Sequence, residues 1–288
     1  MVVDKPAGMT SHDVVGRCRR IFGQRRVGHG GTLDPDATGV LLVGLGAATR
    51  LLRFLSDLPK RYRGEVVLGT ATSTLDSSGE VVGEWDMSTV RLDEVRAAAA
   101  GLMGDILQVP PMVSAVKVGG RRLHELAREG IEVERAARPV TVFRFDVEPA
   151  AEAGVFAVDV DCSSGTYVRT LAADLGTALG GGAHLRNLRR TAVGPFSLDD
   201  ARPLGDVGPA DVLVPAEALR GRPRIVLSDP DLVAAVGHGK VLDRQALGVP
   251  DGGEGPWAVV DAGGRLLAVY QGHGEGRAKP AVVLATVP

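Results

Sequence analysis

The sequence predicts an α+β fold, with a mixed sheet flanked by helices and a small β-rich domain at its C-terminal end. Strand-like and helix-like segments are mixed without the strict alternation that a doubly wound sheet requires. Around residues 203–223 the composition turns to Pro, Gly and Arg, as in a linker. Beyond this zone, two apolar runs at 257–261 and 265–270 flank an Ala-Gly-Gly turn, which is a hairpin pattern.

The individual elements follow from periodicity and from residues typical of helix ends. Thr10 and Asp13 have the spacing of a capping box, apolar residues then recur at helical spacing, and Gly23 ends this first helix. A polar loop is predicted over residues 70–79. Further helices are predicted at 47–55, 92–103, 123–128 and 167–179. Strands are predicted at 40–43, 62–68, 106–109, 140–147, 155–162, 185–193, 225–227 and 282–284.

Composition places the chain among globular proteins without a membrane segment. It has 288 residues, of which 44% are hydrophobic and 24% are charged, enough for one large and one small domain. No stretch approaches the ~20 unbroken apolar residues of a membrane helix, and the first residues do not have the pattern of a secretory signal. Cys18 and Cys162 form neither a disulfide framework nor a Cys-x-x-Cys motif, so we expect a cytoplasmic protein.

Basic residues are clustered although the net charge is only -2. Residues 1–63 contain eleven Lys or Arg and five Asp, and five of the arginines lie between residues 17 and 26. Each cluster alone is most simply a solvated helix face. Together they favour a partner that presents phosphates at a defined place, as a nucleic acid does.

Several cofactor motifs are absent or incomplete. The segment 44–49 follows a strand like a dinucleotide fingerprint, but Thr49 replaces the third glycine and the acidic residue is missing. The glycine-rich segment 28–39 lacks the Gly-Lys-Ser/Thr of a P-loop, and no histidines pair at metal spacing. We therefore expect no cofactor and no metal.

The segment 26–39 carries the most information about chemistry. An isolated Asp-Pro such as Asp34-Pro35 is by default a turn. Here the glycines around it allow the backbone to approach a flat ligand closely, and His29 and Arg26 lie on the same loop. The loop leads directly into a predicted buried strand, which would hold it rigid.

Five motifs, in order over roughly the first 200 residues, resemble the bacterial tRNA pseudouridine-55 synthase (TruB) family. They are Val3-Asp4-Lys5-Pro6-Ala7-Gly8-Met9-Thr10-Ser11, Gly28-His29-Gly30-Gly31-Thr32-Leu33-Asp34-Pro35 with Ala37-Thr38-Gly39, Lys60-Arg61-Tyr62-Arg63, Gly165-Thr166-Tyr167-Val168-Arg169-Thr170, and Gly182-Ala183-His184 with Leu188-Arg189-Arg190. The resemblance implies a largely antiparallel sheet and the isomerisation of uridine 55, in the T-loop of tRNA, to pseudouridine by base flipping and an aspartate nucleophile.

The same resemblance assigns roles to single residues. It implies that Asp34 is the catalytic aspartate, that Arg169 pairs with it, and that Tyr62 packs on the target base. His29 matches a residue that places or flips the nucleotide, and Tyr167 and Leu188 match residues around the uracil. Lys5 matches a residue that supports the floor of the site.

The resemblance also implies the division of the chain and its partner. Residues 1–214 would form the catalytic domain, with an RNA-gripping insertion at 112–138, and residues 215–288 a small β-barrel-like, RNA-binding domain. Lys117, Arg121 and Arg122 would meet phosphates of the tRNA T-arm. His124 departs from the family pattern, in which an aromatic such as tyrosine is common. A monomer is expected, with no obligatory protein partner.

The residue types agree with this chemistry but leave alternatives open. A carboxylate suits an electron-poor anomeric carbon, and an arginine beside it favours its ionised form. One alternative is a tRNA-binding folding chaperone without essential catalysis, which would carry the same basic patches. Another is a nucleotide-dependent transferase with magnesium at Asp34 and Asp36.

Overall fold

The structure is a computed structural model that describes residues 1–114, 116–249, 253 and 255–284, without the side chains of Lys117 and His124. Its first part contains the strands β1 (Val2–Lys5), β2 (Val27–His29), β3 (Thr38–Leu45), β4 (Lys60–Leu68), β5 (Thr70–Thr72), β6 (Val81–Glu84), β7 (Gly104–Gln108), β8 (Lys117–Val118), β9 (Arg121–Arg122), β10 (Arg138–Pro149), β11 (Val155–Cys162), β12 (Ala183–Val193), β13 (Phe196–Ser197) and β14 (Arg202–Pro203).

Helices separate these strands, and a second group of strands follows them. The α-helices are α1 (Ser11–Ile21), α2 (Leu92–Ala100), α3 (Leu123–Arg128), α4 (Val168–Ala178) and α5 (Pro230–Gly237). Segments of 3-10 helix are Gly46–Phe54, Leu198–Asp200, Pro209–Asp211 and Glu217–Leu219. The last strands are β15 (Arg224–Leu227), β16 (Leu242–Asp243), β17 (Trp257–Asp261), β18 (Leu266–Gly272) and β19 (Arg277–Val283). No helix among the described residues is both long and apolar enough to cross a membrane.

One large mixed sheet organises the first part of the chain. Its strands follow the order β14-β1-β3-β12-β4-β11-β10-β7, while β2 pairs with β3 and β13 with β12. Within the described part of this sheet, the pairs β1–β14 and β3–β12 are parallel and the other strand pairs are antiparallel. This topology confirms the prediction of an α+β fold with a mixed, largely antiparallel sheet.

Helices α2 and α4 cover one face of this sheet. Val66 on β4, Val158 on β11 and the α4 residues Leu171 and Leu175 belong to one buried cluster. Burial of such a side chain contributes about 1.5–3 kcal/mol, so this cluster holds the first turn of α4 firmly against the sheet.

Strand β3 is apolar on both faces because both are covered. Leu41 and Val43 pack with α1, whereas Val40 and Leu42 pack with the 3-10 helix Gly46–Phe54 and with the C-terminal strands. A strand covered on both sides reads as a continuous apolar run, as predicted for 40–43. The loop that precedes β3 is therefore attached to a strand with no exposed face.

The C-terminal strands form a separate five-stranded sheet in the order β15-β17-β18-β19-β16. Trp257 and Tyr270 are neighbours in the β17–β18 register, and both lie in the core of this sheet. The predicted hairpin and the prediction of a β-rich C-terminal part are confirmed.

Some predicted elements differ from the structure. The predicted loop 70–79 begins with β5, which pairs with β6, and the predicted helix 47–55 is a 3-10 helix. The predicted helix 92–103 ends at Ala100 because Gly101 follows. The linker zone 203–223 is packed rather than free, since Ala216 and Leu219 are buried against the first part of the chain. Strands β1 and β2 and helix α5 are too short for periodicity to reveal them.

Gly39 provides a test of how closely the parallel strands β3 and β12 approach each other. Its φ is +103°, and an added Cβ would lie 2.1 Å from the carbonyl oxygen of Arg190. We expect Gly39→Ala to lower the free energy of unfolding by about 3 kcal/mol or more, measured by urea denaturation.

Gly16 is the matched control, because it lies inside α1 with an ordinary φ and no atom within 4 Å of an added Cβ. Gly16→Ala should stabilise the protein by about 0.5–1 kcal/mol. Equal effects of the two substitutions would contradict the close approach at Gly39.

Candidate active site

Asp34 lies on the loop between β2 and β3, and the start of α1 fixes this loop. Ser11, buried at the N-terminus of α1, accepts a hydrogen bond from Leu33 N at 2.8 Å and donates one to Leu33 O at 3.2 Å. Thr10 caps the same helix in the predicted capping box. Leu33, the residue before Asp34, is therefore held through both its backbone N–H and its backbone carbonyl.

Lys5 fixes the other side of Asp34. Its side chain is fully buried, and its ammonium donates to the carbonyl oxygens of Pro35 at 2.8 Å, Met9 at 2.6 Å and Pro6 at 2.8 Å. Burial lowers the pKa of Lys5 to about 8, although the nearby carboxylates of Asp36 and Asp34 oppose this shift. Lys5 thus joins β1 to the residue that follows Asp34, as expected for a residue that supports the site.

The carboxylate of Asp34 forms a bidentate ion pair with Arg169, as predicted. Asp34 Oδ2 lies 3.0 Å from Arg169 Nε, and Oδ1 lies 3.2 Å from Nη2. Arg169 is in the first turn of α4, and its side chain is only 4% exposed. A two-point contact fixes the plane of the carboxylate as well as its position.

The remaining donors of Arg169 bind two other loops. Nη1 donates to Asp76 Oδ2 at 3.2 Å and to Thr74 O at 3.0 Å, and Nη2 donates to Val113 O at 2.9 Å. Asp76 lies between β5 and β6, where Oδ1 accepts hydrogen bonds from Thr74 and Ser78. Sequence reasoning missed Asp76, because an aspartate in a Thr/Ser/Asp/Gly segment has the pattern of an ordinary turn.

Burial and the neighbouring charges set the protonation of Asp34 and act in opposite directions. Burial raises the pKa of Asp34, the positive charge of Arg169 lowers it, and the negative charge of Asp76 raises it again. The net pKa shift is upward, so Asp34 requires a higher pH than an exposed aspartate to be ionised.

A cavity of about 220 Å³ opens beside Asp34. Tyr62, Tyr167 and Leu188, all predicted to surround the ligand, line this cavity together with Asp34 and Arg169. Tyr62 is 9% exposed, and burial raises the pKa of its phenol. The structure therefore brings five of the predicted residues together from β4, β12, α4 and the Asp34 loop.

The backbone around Tyr167 is held by a side chain that sequence reasoning did not single out. Gln108, buried at the end of β7, accepts a hydrogen bond from Tyr167 N at 2.7 Å and donates one to Tyr167 O at 3.1 Å. Both backbone polar groups of Tyr167 are thus satisfied, and the start of α4 is tied to the edge of the sheet.

Lys60 and Arg190 also line the cavity, and both are buried. Arg190 donates to three carbonyl oxygens: Val40 at 2.7 Å, Gly31 at 3.2 Å and Thr32 at 3.4 Å. Lys60 donates to Ser56 O. Both residues occurred in motifs or basic clusters of the sequence, but nothing there distinguished a buried cation from a surface one.

Other predicted residues lie outside the cavity. His29 is on β2, and burial lowers the pKa of its imidazole. Neither His29 nor Lys5 lines the cavity in the described structure. Arg121 and Arg122 are exposed on β9, and Arg121 pairs with Glu129. The side chain of Lys117 lies outside the described residues. Among those residues, no group of three His, Cys, Asp or Glu side chains is arranged to hold a metal ion.

Comparison with known proteins gives matches over nearly the whole chain. Residues 19–168 match a family described as TruB family pseudouridylate synthase (N terminal domain), and residues 169–219 match a tRNA pseudouridylate synthase B C-terminal domain. Two bacterial proteins named tRNA pseudouridine synthase B are similar. The one from Mycobacteroides abscessus is 48% identical over 291 residues, covering 99% of this chain and 95% of that protein. The one from Corynebacterium aurimucosum is 49% identical over 281 residues, covering 96% and 92%.

A solved structure has the same fold. A chain from a crystal structure described as a Cbf5–Nop10–Gar1 complex superposes with a TM-score of 0.73 at 27% identity, covering 99% of this chain and 84% of that chain. The similarity therefore includes both the large mixed sheet and the C-terminal sheet.

The electrostatic balance at Asp34 gives a prediction that needs no assay of function. Asp76→Asn removes a negative charge that raises the pKa of Asp34, so the midpoint of the Asp34 titration should move to lower pH. The measurement is carbon-13 NMR of the aspartate carboxyl carbons against pH, with Asp34→Asn to assign the signal.

Asp36→Asn is the matched control for this titration. Of the charged groups that shift the pKa of Asp34, Asp36 has the smallest effect. No ion pair joins Asp36 to Arg169 in the described structure. Its substitution should move the midpoint less than Asp76→Asn does. A larger shift with Asp36→Asn would contradict the role assigned to Asp76.

Proposed function

The chain belongs to the TruB family of pseudouridylate synthases, and from this premise we propose that it converts uridine 55, in the T-loop of tRNA, to pseudouridine with Asp34 as nucleophile. Membership of the family confirms the resemblance predicted from the motifs. The chain is accordingly an enzyme that forms pseudouridine in tRNA. The particular uridine, the flipping of its base and the roles of single residues are our proposal.

The observation that carries the proposal is the Asp34–Arg169 pair at the wall of a cavity. A uracil that enters the cavity has the ring of Tyr62 to pack against and Leu188 and Tyr167 beside it. The bidentate contact directs the carboxylate of Asp34 while leaving it at the cavity surface. Such a carboxylate is placed to act on the anomeric carbon of the bound nucleotide.

The chemistry requires one bond to break and another to form. The bond between the sugar carbon 1′ and N1 of uracil breaks, the base turns, and carbon 5 forms a new bond with carbon 1′. As nucleophile, an Asp34 oxygen bonds to carbon 1′ while the base leaves with the electron pair of its N1 bond, as carboxylates do in glycoside chemistry. This bond to Asp34 breaks when carbon 5 attaches to carbon 1′. Arg169 keeps the carboxylate ionised and oriented. The reaction is redox-neutral, so the proposal requires no cofactor.

The location of Asp34 in the wall of a cavity supports base flipping. A uracil stacked within an RNA loop cannot reach Asp34, so the nucleotide must rotate out of the stack. His29 lies outside the cavity on β2, which adjoins the Asp34 loop. We propose that it places the RNA around the flipped nucleotide rather than contacting the reacting base.

The rest of the chain is proposed to hold the tRNA. Residues 1–214 would form the catalytic domain, and the insertion 112–138 would grip the T-arm through Lys117, Arg121 and Arg122. Residues 215–288 would form the RNA-binding C-terminal domain. We further propose that the protein acts as a cytoplasmic monomer.

The proposed reaction is tested by tritium release from tRNA labelled at carbon 5 of its uridines. That hydrogen is lost only if carbon 5 becomes the glycosidic carbon. We expect one equivalent of tritium from the wild type, unchanged by a chelator, and a loss of at least about 10⁴-fold in Asp34→Asn because the nucleophile is removed.

Asp36→Asn is the control, since it changes a neighbouring carboxylate of the same loop. It should retain release within about 3-fold. Release by Asp34→Asn at the wild-type rate would refute the nucleophile. Binding of tRNA by the wild type without any release would favour the folding chaperone.

The proposed RNA grip predicts a specific salt dependence. Each phosphate contact contributes about 0.7–0.9 to the slope of log Kd against log salt, so Arg121→Gln with Arg122→Gln should lower the slope for tRNA by about 1.5. Arg91→Gln is the control, because Arg91 is also exposed and paired with an acidic residue but lies at the start of α2. An unchanged slope in the double variant would show that these arginines do not contact tRNA phosphates.

A further inference from the structure

Two buried cations form one side of the cavity that holds Asp34. Lys60 is 5% exposed and Arg190 is 1% exposed. They lie on the adjacent strands β4 and β12, where Arg190 is opposite Tyr62. Burial of a charged group is costly unless an opposite charge or hydrogen bonds compensate it.

No carboxylate of the described residues lies within ion-pair distance of either cation. Asp57, whose charge acts on Lys60, is paired with Arg222 at 2.7 Å, and Asp34 in the same cavity is paired with Arg169. Burial raises the pKa of the Cys162 thiol, opposite Lys60 on β11, to about 11, so this thiol is neutral at pH 7. The phenol of Tyr62, whose pKa burial raises, is neutral as well. Among the described residues, the two charges are compensated by carbonyl oxygens and by the neutral Tyr62 phenol, which hydrogen-bonds with Arg190.

The proposed reaction supplies an anion in this cavity. When the bond between carbon 1′ and N1 breaks, its electron pair leaves with the base. The detached uracil is then a monoanion, with its charge shared by N1, O2 and O4. When carbon 5 attacks carbon 1′, the electron pair of the anion forms the new bond and the Asp34 oxygen leaves as a carboxylate. The proton on carbon 5 is then lost and N1 gains a proton, which leaves a neutral base. Asp34, whether a carboxylate or bonded to carbon 1′ as an ester, offers no positive charge to stabilise this anion.

We propose that Lys60, with Arg190 beside it, is a catalytic residue that stabilises the detached uracil anion. The inference rests on the proposed function, because it concerns an intermediate of that reaction. It also assigns a role to a charge that has no anionic partner in the described structure.

The strand geometry supports this placement. Lys60 and Tyr62 are two residues apart on β4, so both side chains lie on the same face, roughly 7 Å apart along the strand. A base packed on the ring of Tyr62 is within reach of the long Lys60 side chain. Ser56 O accepts from Lys60 and also from Ser164 Oγ at 2.8 Å, which ties the ammonium to the cavity wall.

The electrostatic environment makes this charge effective. Burial first, and then the neighbouring Arg190, lower the pKa of Lys60 to about 8. The ammonium is still charged at pH 7, but little water screens it. A preorganised charge that is poorly solvated stabilises a developing anion more strongly than an exposed charge does.

The test compares Lys60→Met and Lys60→Arg with the wild type in single-turnover tritium release and in equilibrium binding of tRNA. We expect Lys60→Met to slow release by about 100-fold or more, with Kd for tRNA within about 3-fold of the wild type, since the anion exists only during reaction. Lys60→Arg keeps the charge and should retain most of the rate.

Three outcomes would overturn the proposal. One is a rate for Lys60→Met within about 3-fold of the wild type. Another is a loss that appears in Kd instead, which would indicate contact with a ground-state phosphate. The third is a loss of the same size in Lys60→Arg. Absence of release by the wild type would instead overturn the proposed function itself, so the two failures are distinguishable.

A pH profile decides the question if Lys60→Met does not fold. The wild-type rate should fall as pH rises above about 8, because Lys60 then loses its charge. In Lys60→Arg this fall should move to higher pH. The buried Lys5 has a similar pKa but lies outside the cavity. If the rate of Lys60→Arg falls at the same pH as that of the wild type, the titrating group is therefore Lys5 or another residue and not Lys60. That result, or a constant rate from pH 7 to 10 in the wild type, would overturn the proposal.

Discussion

The arrangement of the site depends on the hydrogen bonds that the guanidinium of Arg169 donates. This guanidinium joins four parts of the chain that are distant in sequence: α4, the Asp34 loop, the β5–β6 loop and the segment after β7 at Val113. A planar fork of donors can hold several acceptors in fixed directions, which a lysine at the same place could not do. Orientation of Asp34 and closure of the cavity therefore have a common cause.

Burying such a network of charged groups lowers the stability of the fold, although it orders the side chains of the site. Removing a buried guanidinium and a carboxylate from water carries a penalty of several kcal/mol for each ion, which their attraction repays only with good geometry. Here the Arg169 donors are satisfied by two carboxylates and two carbonyls. Lys5 and Arg190 use carbonyl oxygens instead. Burial of the large apolar clusters offsets the free energy that burying these polar groups costs.

The periodicity of the sequence predicted the long elements, and the resemblance of its motifs to the TruB family predicted the central pair of the site. Strands such as β4 and β11 and helix α4 have clear periodicity, and the fold class follows from their order. Asp34, Tyr62 and Arg169 lie in motifs whose spacing is distinctive, and the structure brings them together. Family membership and the pseudouridine-synthase-like fold agree with that prediction.

What the sequence did not predict depends on contacts between distant segments. Asp76 is an unremarkable loop aspartate until β5 and β6 pair and bring it to Arg169. Lys60 belongs to a basic cluster, and only the β4–β12 register shows that it is buried while Arg61 and Arg63 are exposed. Gln108 acts on α4 from the end of a different strand. No local pattern encodes such partnerships.

The packing of the C-terminal strands on β3 limits how the chain can be divided for engineering. Val40 and Leu42 share one buried cluster with Ala258 and Val269, and Arg53 donates to Ala281 O at 2.7 Å. Truncation after residue 214 would thus uncover the apolar back of the strand that follows the Asp34 loop. A minimal version of this enzyme must keep the C-terminal sheet or replace the surface it covers.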